Sequence, residues 1–286
     1  MRNSRRKSPE RGPLFHAFLE YGSVIASILA CVMMLDSLDS CSPMPQGDVV
    51  NLGTARFPPG AGVDGSGVRA ELASHEWRRP RERARYRLDY AHGFAQVRTI
   101  ADRHIALARR FRYEEADDES FRWRVPEECR AAAWACVYAQ VLEDNADSLA
   151  PLIDRFEARF RDEAWSSLEA ARWLLAFVQQ IPYRIPDEYA FGILPPSIVA
   201  SRNWGDCDSK SLLLMALLDR LGIESVLLMS EAHAHAMVGV SVPAGRKPFR
   251  DRGHDYAWAE TTADVPLGHL HPSLRTPDDW QVVLRR

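Results

Sequence analysis

The sequence predicts an α+β fold in which helices come first and an antiparallel sheet lies near the carboxyl end. Two stretches with helical spacing begin near Ser148 and Ser166, and a third, apolar helix follows Cys207. Three short strand-like segments, 224–230, 235–242 and 256–262, come after that helix. A helix followed by several neighbouring strands is typical of a helix packed on an antiparallel layer.

The composition is that of a globular protein. The chain has 286 residues, of which 46% are apolar and 26% charged, enough for one large domain with appendages. The net charge of −3 argues against a nucleic-acid partner. The five cysteines show no CxxC spacing and no zinc-like pattern, so no metal, cofactor or disulfide framework is indicated. Cys129 and Cys136, seven residues apart, either pair or lie in the core.

Residues 1–52 are predicted to be a basic segment followed by a hydrophobic signal or anchor. Residues 1–13 are basic and polar, and residues 22–35 are apolar apart from serines. The apolar run is short for a spanning helix, and an N-terminal helical extension packed on the domain is the alternative. Residues 28–31 also resemble a lipoprotein cleavage site. Because arginines precede the run, the catalytic part is expected outside the cytoplasm, in the periplasm, exported or held at the membrane.

The rest of the chain divides into three predicted regions. Residues 53–69 are rich in Gly and Pro and are predicted to be a flexible linker. Residues 70–145 are predicted to be an accessory α/β region, with a strand at 85–90, a helix at 100–111 and an ambiguous apolar run at 131–142. Residues 146–286 are predicted to form the catalytic domain.

Helix signals are clearest from residue 148 onward. Ser166 and Glu169 have the spacing of a capping box, which opens a helix that runs to about Val178. The proline-rich stretch 183–205 is predicted to be an irregular loop of the kind that often binds ligands. The leucine-rich helix after Cys207 is predicted to stop at Gly222.

Cys207 is the most informative residue, because it stands where a helix begins. The helix dipole favours a thiolate there, and the unpaired N–H groups of the first turn can hold an oxyanion. Asp206 and Asp208 oppose the thiolate, because nearby negative charge disfavours it. We interpret Asp206 as the N-cap of the helix. A metal site built on Cys207 and the later histidines is conceivable, but the aspartates suit capping better.

A nucleophilic thiol needs a base and a group that orients the base. His233 and His235 lie two residues apart, and His235 is preferred because it opens the strand after the unit that carries Cys207. Glu260 is predicted to lie mid-strand among apolar neighbours, where a carboxylate requires a partner. Asp264 is the weaker alternative.

Four segments in this order resemble the transglutaminase-like superfamily, and the bacterial transglutaminase-like proteins in particular. They are FVQQIPY (177–183), GDCDSKSLLL (205–214), HAMVGV (235–240) and YAWAETT (256–262) followed by PLG. The resemblance implies a papain-like core with Cys207 as nucleophile, His235 as base and Glu260 as orienting acid. Gln179 becomes a candidate oxyanion donor, although Gln180 is equally available.

The resemblance implies a thiol acyl-transfer enzyme that forms a Cys207 acyl-enzyme on an amide of a peptide or protein. Resolution by water would give a peptidase or amidase, and resolution by an amine a transglutaminase; the sequence leaves both open. The segments 184–204 and 243–255 are the expected groove walls, with four candidate contacts: Arg184, Tyr189, Arg202 and Trp204. The alternative is a non-catalytic module of the same fold that binds peptide or cell-wall material at a membrane.

Overall fold

The computed structural model describes residues 49–56, 71–79, 82, 84–115, 121–245 and 247–286. The predicted signal or anchor, the N-terminal helical extension and most of the predicted linker lie outside these residues. Within the described ranges, no helix combines the length and apolar character needed to cross a bilayer.

The described residues form a mixed α and β structure, in agreement with the predicted α+β class. The helices are α1 Phe94–Arg110, α2 Ala133–Asp162, α3 Ser167–Gln179, α4 Pro196–Arg202 and α5 Cys207–Arg220. The strands are β1 Val49–Arg56, β2 Glu71–Trp77, β3 Arg85–His92, β4 Glu114–Glu115, β5 Phe121–Arg122, β6 Ser225–Ser230, β7 His235–Val240, β8 Phe249–Asp251, β9 His254–Ala259 and β10 Gln281–Arg285.

The carboxyl-terminal strands form a five-stranded antiparallel sheet in the order β10-β6-β7-β9-β8. Helix α5 packs against β6 and β7, the two central strands that follow it in the chain. β6 and β7 match the predicted strands 224–230 and 235–242 closely. The predicted strand 256–262 is shifted, because β9 starts earlier and ends at Ala259. Glu260 therefore lies just beyond the end of β9, and the prediction that it lies mid-strand is wrong.

A second sheet, in the order β1-β3-β2, packs near the other helices. β1 runs parallel to β3, and β2 runs antiparallel to it. Residues 53–56, predicted as the start of the linker, belong to β1 and pair with β3, and Ala55 is buried in the core. The Gly and Pro content of the segment indicated a linker. The strand depends on pairing with β3, a long-range contact that the local sequence does not reveal.

Helix α2 is a single helix of 30 residues that contains Pro151. The predicted boundary between residues 145 and 146 falls inside it, so the structure shows no break there. Leu149, Leu152 and Phe156 are buried in the same core cluster as residues from both sheets. This packing holds the helix together past a proline that removes one backbone donor.

The segment 183–205 is more ordered than predicted. It contains α4, and Ile193, Leu194 and Ile198 within it are fully buried. The predicted irregular loop is therefore partly wrong, because half of the segment is core. Local signals elsewhere hold: Ser166 accepts a hydrogen bond from the Glu169 N–H at 3.3 Å, and Gly222 takes the left-handed φ of +66° that ends α5.

Candidate active site

Cys207 is the first residue of α5, and its side chain is only 7% exposed. Asp206 is the N-cap as predicted, and its carboxylate accepts a hydrogen bond from the Ser209 N–H at 3.2 Å. Among the described cysteines, Cys207 is the free thiol, whereas Cys129 and Cys136 form a disulfide. The helix start thus holds one reduced sulfur in a largely buried position.

His235 lies on the neighbouring sheet, next in the chain to a residue that contacts the thiol. It is the first residue of β7, and the backbone N–H of the next residue, Ala236, donates a hydrogen bond to the Cys207 sulfur. The Nε2 atom of His235 lies 2.7 Å from Oε2 of Glu260. Because Nε2 is engaged by the carboxylate, Nδ1 is the ring nitrogen left for the thiol.

Glu260 is buried and is fixed from two sides. Its Oε2 faces His235, while its Oε1 accepts hydrogen bonds from both the backbone N–H and the hydroxyl of Thr262, each at 2.7 Å. These contacts explain the second threonine of the AETT segment, which sequence reasoning left without a role. The structure brings His235 and Glu260 into direct contact, and the residue after His235, Ala236, lies against the Cys207 sulfur.

The electrostatics of the pair favour a charged ring. Burial lowers the pKa of His235, but the Glu260 charge and hydrogen bond outweigh it and raise this pKa above 6.5. Burial alone would raise the pKa of Glu260, yet His235 and Thr262 hold it at about 2. Glu260 is therefore ionised throughout the neutral range and can stabilise an imidazolium.

The thiol itself is held in its protonated form. Burial raises the pKa of Cys207 well above its ordinary value, and the carboxylates of Asp208 and Asp206 add to the rise, while the Ala236 N–H opposes it. Burial and the neighbouring Asp208 also raise the pKa of Asp206. A thiol in this setting becomes a nucleophile when a base takes its proton during attack.

The acidic pair beside the thiol has partners within the fold. Ligand atoms of Asp206, Cys207 and Asp208 lie within 4.8 Å of one another, a spacing that a metal ion could use. Asp206 caps α5, however, and Asp208 accepts a hydrogen bond from the buried hydroxyl of Tyr138 at 3.1 Å. These contacts account for the positions of both carboxylates.

Lys210 is a site residue that sequence reasoning missed. It is 1% exposed, and its ammonium donates to the backbone carbonyls of Ile181 at 2.7 Å and Gln179 at 3.4 Å. Burial lowers its pKa to about 8, against the opposing charges of Glu260, Cys207 and Asp206. Lys210 is a buried cation among the negative groups of the site. Sequence reasoning missed it because nothing in the segment GDCDSKSLLL distinguishes this lysine from one on the surface.

Gln179 does not fit the predicted role of oxyanion donor. Its side-chain amide donates to the carbonyl oxygens of Glu260 and Val265, each at 2.8 Å. Both amide hydrogens are thereby used, so neither can reach a substrate oxygen. Gln179 instead fastens the segment that carries the acid to the end of α3.

Trp280, also missed, packs against the His235 ring. Its indole lies edge-on to His235 with ring centroids 6.0 Å apart, and its N–H donates to the Leu274 carbonyl at 2.9 Å. His233 has a different acidic neighbour, because its Nε2 lies 3.2 Å from Asp279. The preference for His235 over His233 therefore agrees with the contacts.

Three of the predicted substrate contacts, Arg184, Tyr189 and Trp204, lie close to one another. The guanidinium of Arg184 stacks over the Trp204 ring at 4.2 Å, and the Tyr189 ring lies 6.5 Å from Trp204. Trp204 is three residues before Cys207 in the chain. The roles of these residues as substrate contacts stay predictions.

No protein-family model matches the chain, and no curated protein or solved structure matches it. The chemistry of the site therefore rests on its own geometry.

Proposed function

We propose that this protein is a thiol acyl-transfer enzyme of the transglutaminase-like type. The observation that carries the proposal is the His235–Glu260 hydrogen bond of 2.7 Å, formed beside a free thiol at the start of a helix. The antiparallel sheet, the nucleophile on the helix packed against it and the base on the adjoining strand support a papain-like core. Peptide or protein amides are the proposed substrates.

The first half of the reaction forms a thioester. His235 takes the thiol proton at Nδ1 while the Cys207 sulfur attacks the amide carbonyl carbon. The N–H groups of the first turn of α5 hold the negative charge that develops on the carbonyl oxygen. When the C–N bond breaks, His235 gives its proton to the leaving amine, and Glu260 stabilises the imidazolium in between.

The second half releases the acyl group. Water attacks the thioester with His235 as base and gives a carboxylic acid, or a primary amine attacks and gives a new amide. The first outcome makes the protein a peptidase or amidase, and the second a transglutaminase.

The Cys129–Cys136 disulfide supports an extracytoplasmic location. Disulfides persist in oxidising compartments and are rare in the cytosol. Together with the basic and apolar residues 1–35, it supports a protein exported to the periplasm or held at the membrane by its N-terminal segment.

Mass spectrometry after incubation with a peptide library, with and without a primary amine, tests the proposal. We expect shortened peptides or amine adducts with the wild type and neither with Cys207→Ser or His235→Ala. Equal product from wild type and Cys207→Ser would contradict the proposal.

A non-catalytic peptide- or cell-wall-binding module is the second candidate. The buried, protonated thiol favours it, because a low-pKa cysteine is the more familiar mark of a reactive site. Peptide retention by the Cys207→Ser variant, combined with no product from the wild type, would support this candidate.

A further inference from the structure

A pocket of about 310 Å³ is lined by α3, by residues of the segment 265–269 and by Arg79, and the proposed reaction gives it no role. Arg172, Leu175 and Gln179 line it from one face of α3, because they are three and four positions apart. The volume lies at the lower end of the range for pockets that bind small organic molecules. The pocket therefore has room for one small ligand.

Contacts within the fold hold the walls of the pocket in place. The Gln179 amide donates to the carbonyl of Val265 at 2.8 Å and so fastens α3 to the neighbouring wall. Gly245, which also lines the pocket, approaches Gly268 so closely that a methyl group on it would lie 2.5 Å from the Gly268 carbonyl oxygen. Both glycines have a left-handed φ, +84° and +81°. The shape of the pocket is thus set before any ligand binds.

Two neighbouring arginines determine the charge of the pocket. Nη2 of Arg79 and Nη1 of Arg172 both lie near Oε1 of Glu169, at 3.7 Å and 3.4 Å. These distances are longer than the roughly 2.7–2.9 Å of a strong charge-assisted hydrogen bond. Arg79 also lies 2.8 Å from Glu82 and stacks over the Trp165 ring at 5.3 Å, which orients its guanidinium. Neither carboxylate lines the pocket, and none of the described residues that line it is acidic.

The guanidinium of Arg172 keeps donors for a ligand. An arginine carries several N–H donors, and within the described part of the chain the carboxylate near Arg172 is that of Glu169, held loosely. The Arg172 side chain is 44% exposed, so a ligand can reach it. Leu175, Val265 and Leu267 add apolar surface to the same pocket. This combination is complementary to an organic molecule with a carboxylate at one end.

We propose that this pocket binds a small organic carboxylate, whose charged group pairs with the two arginines and whose apolar body packs on the leucine and valine side chains. The planar guanidinium matches a carboxylate with two parallel hydrogen bonds. Glu169 is then the anion that the ligand displaces, so it competes with the ligand for the arginines. The inference does not depend on the proposed acyl transfer, because it makes no use of Cys207.

Isothermal titration calorimetry with 4-phenylbutanoate tests the proposal. This probe joins a carboxylate to an apolar body and has no amide or ester that Cys207 could attack. We expect saturable binding to the wild type and binding at least about tenfold weaker to Arg172→Gln, because a hydrogen bond between charged groups is lost. Binding to Glu169→Gln should be tighter, because the competing carboxylate is gone. Arg98→Gln is the matched control: it removes an exposed guanidinium 4.0 Å from Asp102, outside the pocket, and should bind like the wild type.

The uncharged analogue 4-phenylbutan-1-ol separates charge from apolar packing, and we expect it to bind far more weakly than the acid. The inference is overturned if the wild type shows no saturable binding of 4-phenylbutanoate, or if it binds the alcohol equally well. Equal affinity of Arg172→Gln and wild type for the acid overturns it too, and so does binding to Glu169→Gln that is no tighter than to the wild type.

Discussion

Glu260 illustrates how single residues decide the protonation of the site. Its Oε1 is held by two donors from Thr262, and its Oε2 faces Nε2 of His235. In the neutral ring the carboxylate therefore keeps the proton on Nε2 and leaves Nδ1 free to accept a proton. The acid sets the tautomer of the base as well as its charge.

Glu260→Gln is expected to invert that tautomer. The two Thr262 donors keep the amide oxygen on their side, so the amide NH₂ faces Nε2 and the ring proton moves to Nδ1. We expect the acylation of Cys207 by p-nitrophenyl acetate to slow by about 10³- to 10⁴-fold, as for an amide in this position of a serine triad. The measurement is the rate at which the reagent releases p-nitrophenolate. Glu224→Gln, which alters a carboxylate bonded to Tyr256, is the control, and a loss below tenfold would contradict the tautomer argument.

Sequence reasoning selected Cys207, His235 and Glu260 from their places at a helix start and in nearby strands and from the family resemblance, and the structure shows the His235–Glu260 contact. It missed or misassigned the residues that surround them. The role of Gln179 could not be assigned, because its partner Glu260 lies 81 positions away in the chain. Tertiary packing decides which contacts a polar side chain makes, and local sequence patterns do not predict that packing.

At the scale of elements, the site is the meeting point of two helix ends. Lys210, in the first turns of α5, donates to carbonyls at the end of α3, where the helix dipole is negative. Gln179, the last residue of α3, in turn holds the segment after β9. Cys207 and Glu260 are thereby joined to one pair of helix ends.

Lys210→Met tests this junction. The buried ammonium, with a pKa of about 8, offsets the negative groups of the site below that pH and ceases to do so above it. We therefore expect wild-type acylation to decline as pH rises through about 8, and the variant to be slower and to lack this decline. A pH–rate profile from pH 6 to 10 measures both. If the acylation rate of Lys210→Met still declines near pH 8, a group other than Lys210 causes the decline.

Elements with local signals were predictable and those that depend on distant contacts were not. The caps at Ser166 and Asp206 satisfy N–H groups three residues away, so their signals lie within one turn. Helix α2 was predicted in pieces, because the length of the apolar run 131–142 does not distinguish a helix from a buried strand. Burial of Leu149 and Leu152 on either side of Pro151 stabilises a single helix.

At the scale of the whole molecule, one core joins the amino-terminal sheet to the site. His75 in β2 is buried, and its Nε2 lies 2.8 Å from the carbonyl oxygen of Ala200 in α4, close before the nucleophile. Burial lowers the pKa of His75 to about 4, although this hydrogen bond and the charge of Asp89 oppose the shift. Residues of the predicted accessory region and of the predicted catalytic domain contribute to one hydrophobic core, because contacts between distant segments join them.

His75 is expected to make stability sensitive to acid. His75 binds a proton below about pH 6.5 in the unfolded chain but only near pH 4 in the folded chain. The free energy of unfolding is therefore unaffected by the titration of this residue above pH 6.5 and falls as the pH drops towards 4. The shift of 2.5 pKa units corresponds to about 3 kcal/mol of unfolding free energy. His75→Gln keeps a donor for Ala200 and does not titrate. Urea unfolding at pH 7 and pH 4 should show a loss about 3 kcal/mol smaller for the variant; equal losses would contradict the assignment.

The action of His235 on Cys207 is tested most directly by the rate of iodoacetamide alkylation of Cys207 from pH 5 to 10. For wild type we predict a rise above pH 6.5, as the ring loses its proton and can accept that of the thiol. For His235→Ala we predict that the rise moves to the pH at which the buried thiol ionises unaided, with a rate about 100-fold lower at pH 7.5. Superimposable profiles for the two proteins would contradict the claim that the imidazole activates the thiol.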